Sequence, residues 1–238
     1  MRPATLLTVG LAWGLGLLFT GPAVAQPSNS PSSILEKGQW AFGLGGGGLW
    51  KRAMKKGGAE LSVYEGSHTR GYGLTNRTTL YGEIGGAYVG NEDPSVAENV
   101  DSDFGRNLIL GGQLNSKLWT SATGRWEWYG SLGYRYLGAP HKSSGNKITW
   151  KEWQLATSLA WAWRGKKPYA GLKLSALNAD YQIRSGTTEI TGTYRPKDVI
   201  GPFAGIDWVV SEDQETIINL EGSYIGGPSV NVTWTTRF

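Results

Sequence analysis

From residue 39 onward, apolar and polar residues alternate along the chain with a period of two, broken every dozen residues or so by turn signals. Successive side chains in a strand point to opposite faces, so each such run has one apolar and one polar side. The fourth run is the cleanest. Leu108, Leu110, Leu114 and Leu118 share one face, against Asn107, Gln113, Asn115 and Lys117 on the other. The fifth sets Trp126, Trp128, Leu132, Tyr134 and Tyr136 against Arg125, Glu127, Tyr129, Ser131 and Arg135. The sixth sets Trp153, Leu155, Leu159, Trp161 and Trp163 against Glu152, Gln154, Ala156, Ser158 and Ala160, and reads as the longest. Further strands are expected at 39–50, 59–74, 78–89, 169–181, 199–210, 216–224 and 229–238. In the second of these the phase changes: Leu61 and Val63 lie in one register, Tyr72 and Leu74 in the other, so a bulge is expected near Tyr64 to Gly66.

The connections alternate in length. Those at 75–77, 120–124, 164–168 and 211–214 are short; those at 51–58, 91–103, 138–147 and 184–197 are longer, and the last, at 226–228, is short again. Ten antiparallel strands of membrane-crossing length follow, with eight as the alternative if the first two strands or the final hairpin are misplaced. The fold class expected is all-β: an antiparallel up-and-down transmembrane β-barrel. A soluble sandwich also alternates, but it would bury the charged face as its core, and unpaired buried charge is costly.

The last strand carries Val230, Val232, Trp234, Thr236 and Phe238 on one face. A strand ending on an aromatic residue resembles the insertion signal of bacterial outer-membrane β-barrel proteins. So does the strand–turn–strand unit from Gly71 to Leu80. The resemblance is to that broad class and implies the outer membrane, with lipid and lipopolysaccharide around the protein and the barrel-assembly machinery engaging the last strand. The opposite end of the chain agrees. Arg2, an apolar stretch at 6–19 and the small residues Ala23-Val24-Ala25 read as a cleaved signal peptide over 1–25. The Pro/Ser-rich stretch 26–37 then reads as a flexible periplasmic lead-in, and 38–238 as the barrel.

Composition refines this picture. Aromatic residues make up 12% of the chain, and Trp126, Trp128, Trp161, Trp163 and Trp208 fall beside short turns, where an interfacial girdle belongs. Trp50, Tyr88, Tyr136 and Trp153 are expected at the other rim. Charges on the opposite face balance: Lys117, Arg125, Arg135, Lys173 and Arg237 against Glu83, Glu127, Glu152, Asp207 and Glu221. Inside a narrow barrel they can pair. With Tyr81, Tyr129, Gln113 and Gln154 they are expected to plug it. A net charge of +4, spread over many strands, gives no case for nucleic acid.

Candidate chemistry is sparse. Without cysteine there is no disulfide, thiolate or cysteine metal site. No cofactor or metal is expected. The glycine run 45–48 lacks the following Gly-Lys-Ser/Thr of a phosphate loop. His141 and Ser143 have a spacing loosely similar to that of an outer-membrane lipid A deacylase, but lack a nearby acid. Asp101 and Asp103 lack the Asp–His partner of the omptin proteases. The basic loop residues Lys51, Arg52, Lys55 and Lys56 are expected outside the cell, available to lipopolysaccharide phosphates. The expectation is therefore a non-enzymatic outer-membrane barrel, structural or surface-interacting. A small pore for ions or polar solutes is the alternative, and a lipid A-modifying enzyme the third.

Overall fold

The computed structural model describes residues 29–55, 58–93, 104–138, 146–185, 188–211, 213 and 215–238. A short 3-10 turn, Pro31–Ser33, precedes eleven strands. These are β1 (Trp40–Ala53), β2 (Glu60–Thr75), β3 (Thr78–Glu92), β4 (Gly105–Thr120), β5 (Trp126–Gly138) and β6 (Lys147–Trp161). Then follow β7 (Lys166–Ser185), β8 (Thr188–Tyr194), β9 (Ile200–Val209), β10 (Thr216–Tyr224) and β11 (Pro228–Arg237). Ten of them form a closed antiparallel circuit, β1 to β7 in order, then β9, β10 and β11 back to β1. The seam joins β1 to β11 over nine residue pairs, from Ala41–Arg237 to Leu49–Ser229. Within this ten-stranded circuit closure leaves no sheet edge and pairs the backbone polar groups internally, as a structure in hydrocarbon must.

The exterior is apolar. Leu80, Ile84, Leu108, Leu110, Leu114, Leu132, Leu155, Leu172, Ile200 and Leu220 all face outward and are exposed. The ten strands meet the expected count. The signal-peptide stretch, 1–25, lies outside the described residues.

Four local differences have physical causes. The bulge sits in β1, where the register against β2 shifts between Leu49 and Arg52. Lys51 adopts a left-handed φ of 49° there, and the extra residue turns Arg52 inward. β2 keeps one register with β1 from Val63 to Tyr72. Its apparent phase change arises because Leu61 and Val63 face an apolar interior, while Tyr72 and Leu74 face lipid. β7, not β6, is the longest strand. Its first part pairs with β9 and its last part, from Ala179 to Ser185, pairs with β8. The connection expected at 184–197 thus contains a strand, which prolongs β7 as a hairpin beyond the barrel wall.

Candidate functional site: a lumen filled at three levels

The end bearing the short turns, with Trp40 and Phe238 beside each other, is the periplasmic end. Here the chain preceding β1 enters the barrel. Residues 29–35 lie in the lumen rather than forming a free lead-in. Their polar groups are taken up by inward side chains. Leu35 N–H donates to Thr79 Oγ1 at 2.8 Å, and Tyr81 OH to Ser33 O at 2.7 Å. Asn115 donates to Ser33 Oγ at 2.6 Å, and Ser131 to Asn29 Oδ1 at 2.6 Å. Arg237 reaches Ser32 O. Two carboxylates anchor the segment. Ser30 Oγ and Ser32 N–H each donate to Asp207 at 2.7 Å, and Asn29 N–H donates to Glu221 at 3.1 Å. A Pro/Ser/Asn sequence that cannot make a strand becomes an ordered plug because the wall satisfies its backbone. Two cavities beside it, of about 10 and 20 Å³, have room for a water or two each.

The middle level is ionic. Arg135 (β5) bridges Glu65 (β2) and Glu83 (β3), at 3.1 and 3.2 Å from the latter's two oxygens. Lys173 (β7) donates to Glu221 (β10) at 2.9 Å, and Tyr169 OH donates to the same carboxylate at 3.0 Å. Arg52 donates to Glu152 at 3.1 Å and to Ser175 at 2.9 Å, and Trp150 Nε1 supplies Glu152's second oxygen at 3.1 Å. Glu127 accepts from Lys167 at 2.8 Å and Tyr129 at 2.5 Å, with Lys117 at 3.5 Å. Each of these carboxylates has a cation. Among the described residues Asp207 has none in direct contact and is held by the plug and Asn219 Nδ2 instead.

The outer level is apolar. Leu49, Leu61, Val63, Val89, Phe104, Ile109, Leu137, Ile148, Trp150, Leu177, Ile183 and Tyr194 form one buried cluster inside the barrel mouth. Tyr194 of β8 stacks on Tyr181 at 4.1 Å, and its OH donates to Asp93 at 2.6 Å. Burial first, and Asp93 next, hold that phenol well above its usual pKa. The chain after β8 then crosses to the β1–β2 connection: Lys55 N–H donates to Arg195 O, and Lys197 N–H to Ala53 O.

Of the ten charges expected in the lumen, nine lie there and Arg125 does not. It precedes β5, exposed in a periplasmic turn. Glu65, Arg52 and Lys167 belong to the network in addition. Glu65 shares a face with Leu61 and Val63, a signal hidden by the expected bulge. Arg52 was expected outside the cell with Lys51, Lys55 and Lys56. It is buried instead, while Lys51 pairs with Glu92 at 3.0 Å and Lys55 is exposed. The hydrogen bond to Glu92 is the main cause of a raised Lys51 pKa. Lys56, Asp101, Asp103, His141 and Ser143 lie outside the described residues. Trp126, Trp128, Trp161, Trp163 and Trp208 are exposed beside the periplasmic turns, with Trp126, Trp161 and Trp163 stacked in series at 6.1 Å. Val230, Val232, Trp234, Thr236 and Phe238 share the outer face of β11 and its end. Among the described residues no cluster of metal-ligating side chains occurs.

A comparison with protein families finds no match, and a comparison with curated proteins finds none either. Solved structures do resemble the barrel. The outer-membrane protease OmpT of Escherichia coli is 10% identical, with 88% of this chain and 98% of that one covered and a TM-score of 0.43. The outer-membrane protein OprG of Pseudomonas aeruginosa is 8% identical, with 87% and 98% covered and a TM-score of 0.43. The translocator domain of the autotransporter NalP of Neisseria meningitidis is 11% identical, with 86% and 90% covered and a TM-score of 0.44. What places this chain in the outer membrane is its own exterior: a closed barrel with an apolar band between two aromatic rims.

Proposed function

We propose that this protein is a closed, non-enzymatic integral outer-membrane barrel, structural or surface-interacting, rather than a conduit. One observation carries the reading: the lumen is occupied in series by an ordered segment, an ion-paired layer and an apolar cap. A solute crossing it would have to displace the plug, break buried ion pairs and open the cap. Each is costly alone, and breaking one buried pair costs roughly 3–5 kcal/mol. The exposed Lys51 and Lys55 at the outer rim support contact with lipopolysaccharide phosphates. The apolar face of β11 supports engagement by the assembly machinery.

A small pore is the second reading. It is favoured by the lower closure being a separate segment held by hydrogen bonds rather than a wall strand. Planar-bilayer recording of the refolded protein separates the two. The closed reading expects a silent bilayer, including for a variant lacking residues 29–35, because the apolar cap remains. Stable single-channel steps from the intact protein overturn it.

A further inference from the structure

The lipid-facing surface of β2 departs from the apolar band around it. Its outward row runs Tyr64, Gly66, His68, Arg70, Tyr72, of which Tyr72 stands beside Trp40 at the periplasmic rim. Arg70 is thus a cation one outward position deeper than that rim, about 7 Å along the strand. Its Nε donates to His68 Nε2 at 3.2 Å, and no other partner is recorded for its guanidinium among the described residues. His68 is held by Phe42, with ring centroids 4.5 Å apart and the planes tilted by 57°. Arginine at this depth is unfavourable in hydrocarbon unless an anion meets it. Among the described residues the outward carboxylates of β2, β3 and β7, Glu60, Glu92 and Asp180, stand at the other end of their strands, and the exposed Glu36 precedes β1, beside Gly73 at the periplasmic end.

The wall beside Arg70 is empty. Its cross-strand neighbour is Gly82, and the neighbour of Gly82 is Gly112. Two outward positions further into the membrane, past His68 and its neighbour Ile84, Gly46, Gly66 and Gly86 lie side by side on β1, β2 and β3. A Cβ at Gly82 would meet nothing of the chain within 4 Å, and at Gly66, Gly86 or Gly112 nothing nearer than 3.6 Å. By contrast, inward Gly71 and Gly85 of the same strands are crowded, by the Tyr81 ring and by Ser67 respectively. Packing within the chain therefore explains Gly71 and Gly85 and not Gly66, Gly82, Gly86 and Gly112. Glycine weakens a strand, and one with open space over it marks where something outside approaches the backbone.

We propose that Arg70 and His68, with the shelf of Gly82 and Gly112, bind one glycerophospholipid of the periplasmic leaflet. The phosphodiester sits over Gly82 against the guanidinium, and an acyl chain runs toward the midplane past Ile84 and then across Gly66 and Gly86. The polarity of the site selects this occupant. Its cation lies nearest the periplasmic rim and its bare trough deeper, the order of head group and tail in that leaflet. A second copy of the chain would bring another Arg70 and no carboxylate at this depth.

Native mass spectrometry of the detergent-solubilised barrel, titrated with phosphatidylglycerol, tests this. The expected result is one bound lipid per barrel. Arg70→Gln should weaken it about tenfold or more, the scale of a charge-assisted hydrogen bond, and Gly82→Leu should do the same by filling the shelf. Both variants should remain heat-modifiable barrels on gels. Should Arg70→Gln fail to insert, Gly82→Leu and Gly112→Leu, which leave every polar group in place, decide the matter. Equal binding of diacylglycerol, which lacks the phosphate, overturns the proposal. So does tighter binding of lipid A than of phosphatidylglycerol, undiminished binding in the glycine variants, or a doubled mass that Gly82→Leu abolishes.

Discussion

Arg135 shows how much of the interior hangs on single side chains. It is buried and shared between Glu65 and Glu83, on two neighbouring strands. Replacing it with Met leaves two carboxylates facing each other without a cation. The expected loss is roughly 3–5 kcal/mol, measured by urea unfolding of the barrel in lipid vesicles; an unchanged midpoint would show that the pairing adds nothing. Gly73 is equally specific. A Cβ there would run into the Glu36 carbonyl and the Leu35 side chain. Gly73→Leu should therefore leave the strands paired but drive residues 29–35 out of the lumen. Hydrogen exchange reads this directly: the amides of Ser32 and Leu35, bonded to Asp207 and Thr79, should lose protection while those of β2 and β3 keep it.

At the scale of elements, sequence and structure agree where one physical rule governs a whole strand. β3, β4, β5 and β6 each face lipid on one side and polar groups on the other over most of their length, so the alternation of Leu110 to Leu118 or Trp153 to Trp161 is readable by eye. They reach the apolar cap only near their outer ends, through Val89, Ile109, Leu137 and Trp150. Agreement fails where the environment changes within one strand. Leu61 and Val63 look out of phase only if the interior is assumed polar throughout. The interior turns apolar above Glu65, and no bulge is needed. The same assumption hid Arg52, since a bulge at Lys51 leaves little trace in residue types. Residues 29–35 were illegible for a different reason. A Pro/Ser/Asn segment is unstructured by propensity and is ordered only by acceptors from strands far along the chain, as in the 177 residues between Ser30 and Asp207. β8 escapes similarly, because its partner is the extension of β7 beyond the membrane.

For the molecule as a whole, inside and outside are separable by experiment. Trp150 points into the lumen and is 3% exposed, whereas Trp153, three residues on, points to lipid and is 54% exposed. In single-tryptophan variants, brominated phospholipids should quench Trp153 and Trp128 and leave Trp150 almost untouched. Quenching of all three alike would mean that the wall is not a two-faced barrel. The charge balance of the interior belongs to this scale too. Arg52, Lys173 and Arg135 each come from a strand different from their partners', so the ionic layer forms only once the circuit closes.

The place where apolar side chains change sides also acts as a depth gauge. On β2 the outward row passes from Tyr64 to Ser62 and Glu60, and on β6 from Trp153 to Lys151, just as Val63, Leu61 and Trp150 turn inward. Raising the bilayer by one side-chain step would uncover the tryptophans of the periplasmic rim and would sink Lys151, Ser62 and Asn178 into oil. The protein is therefore moored at a single height, and a thicker membrane must thin around it rather than let it float.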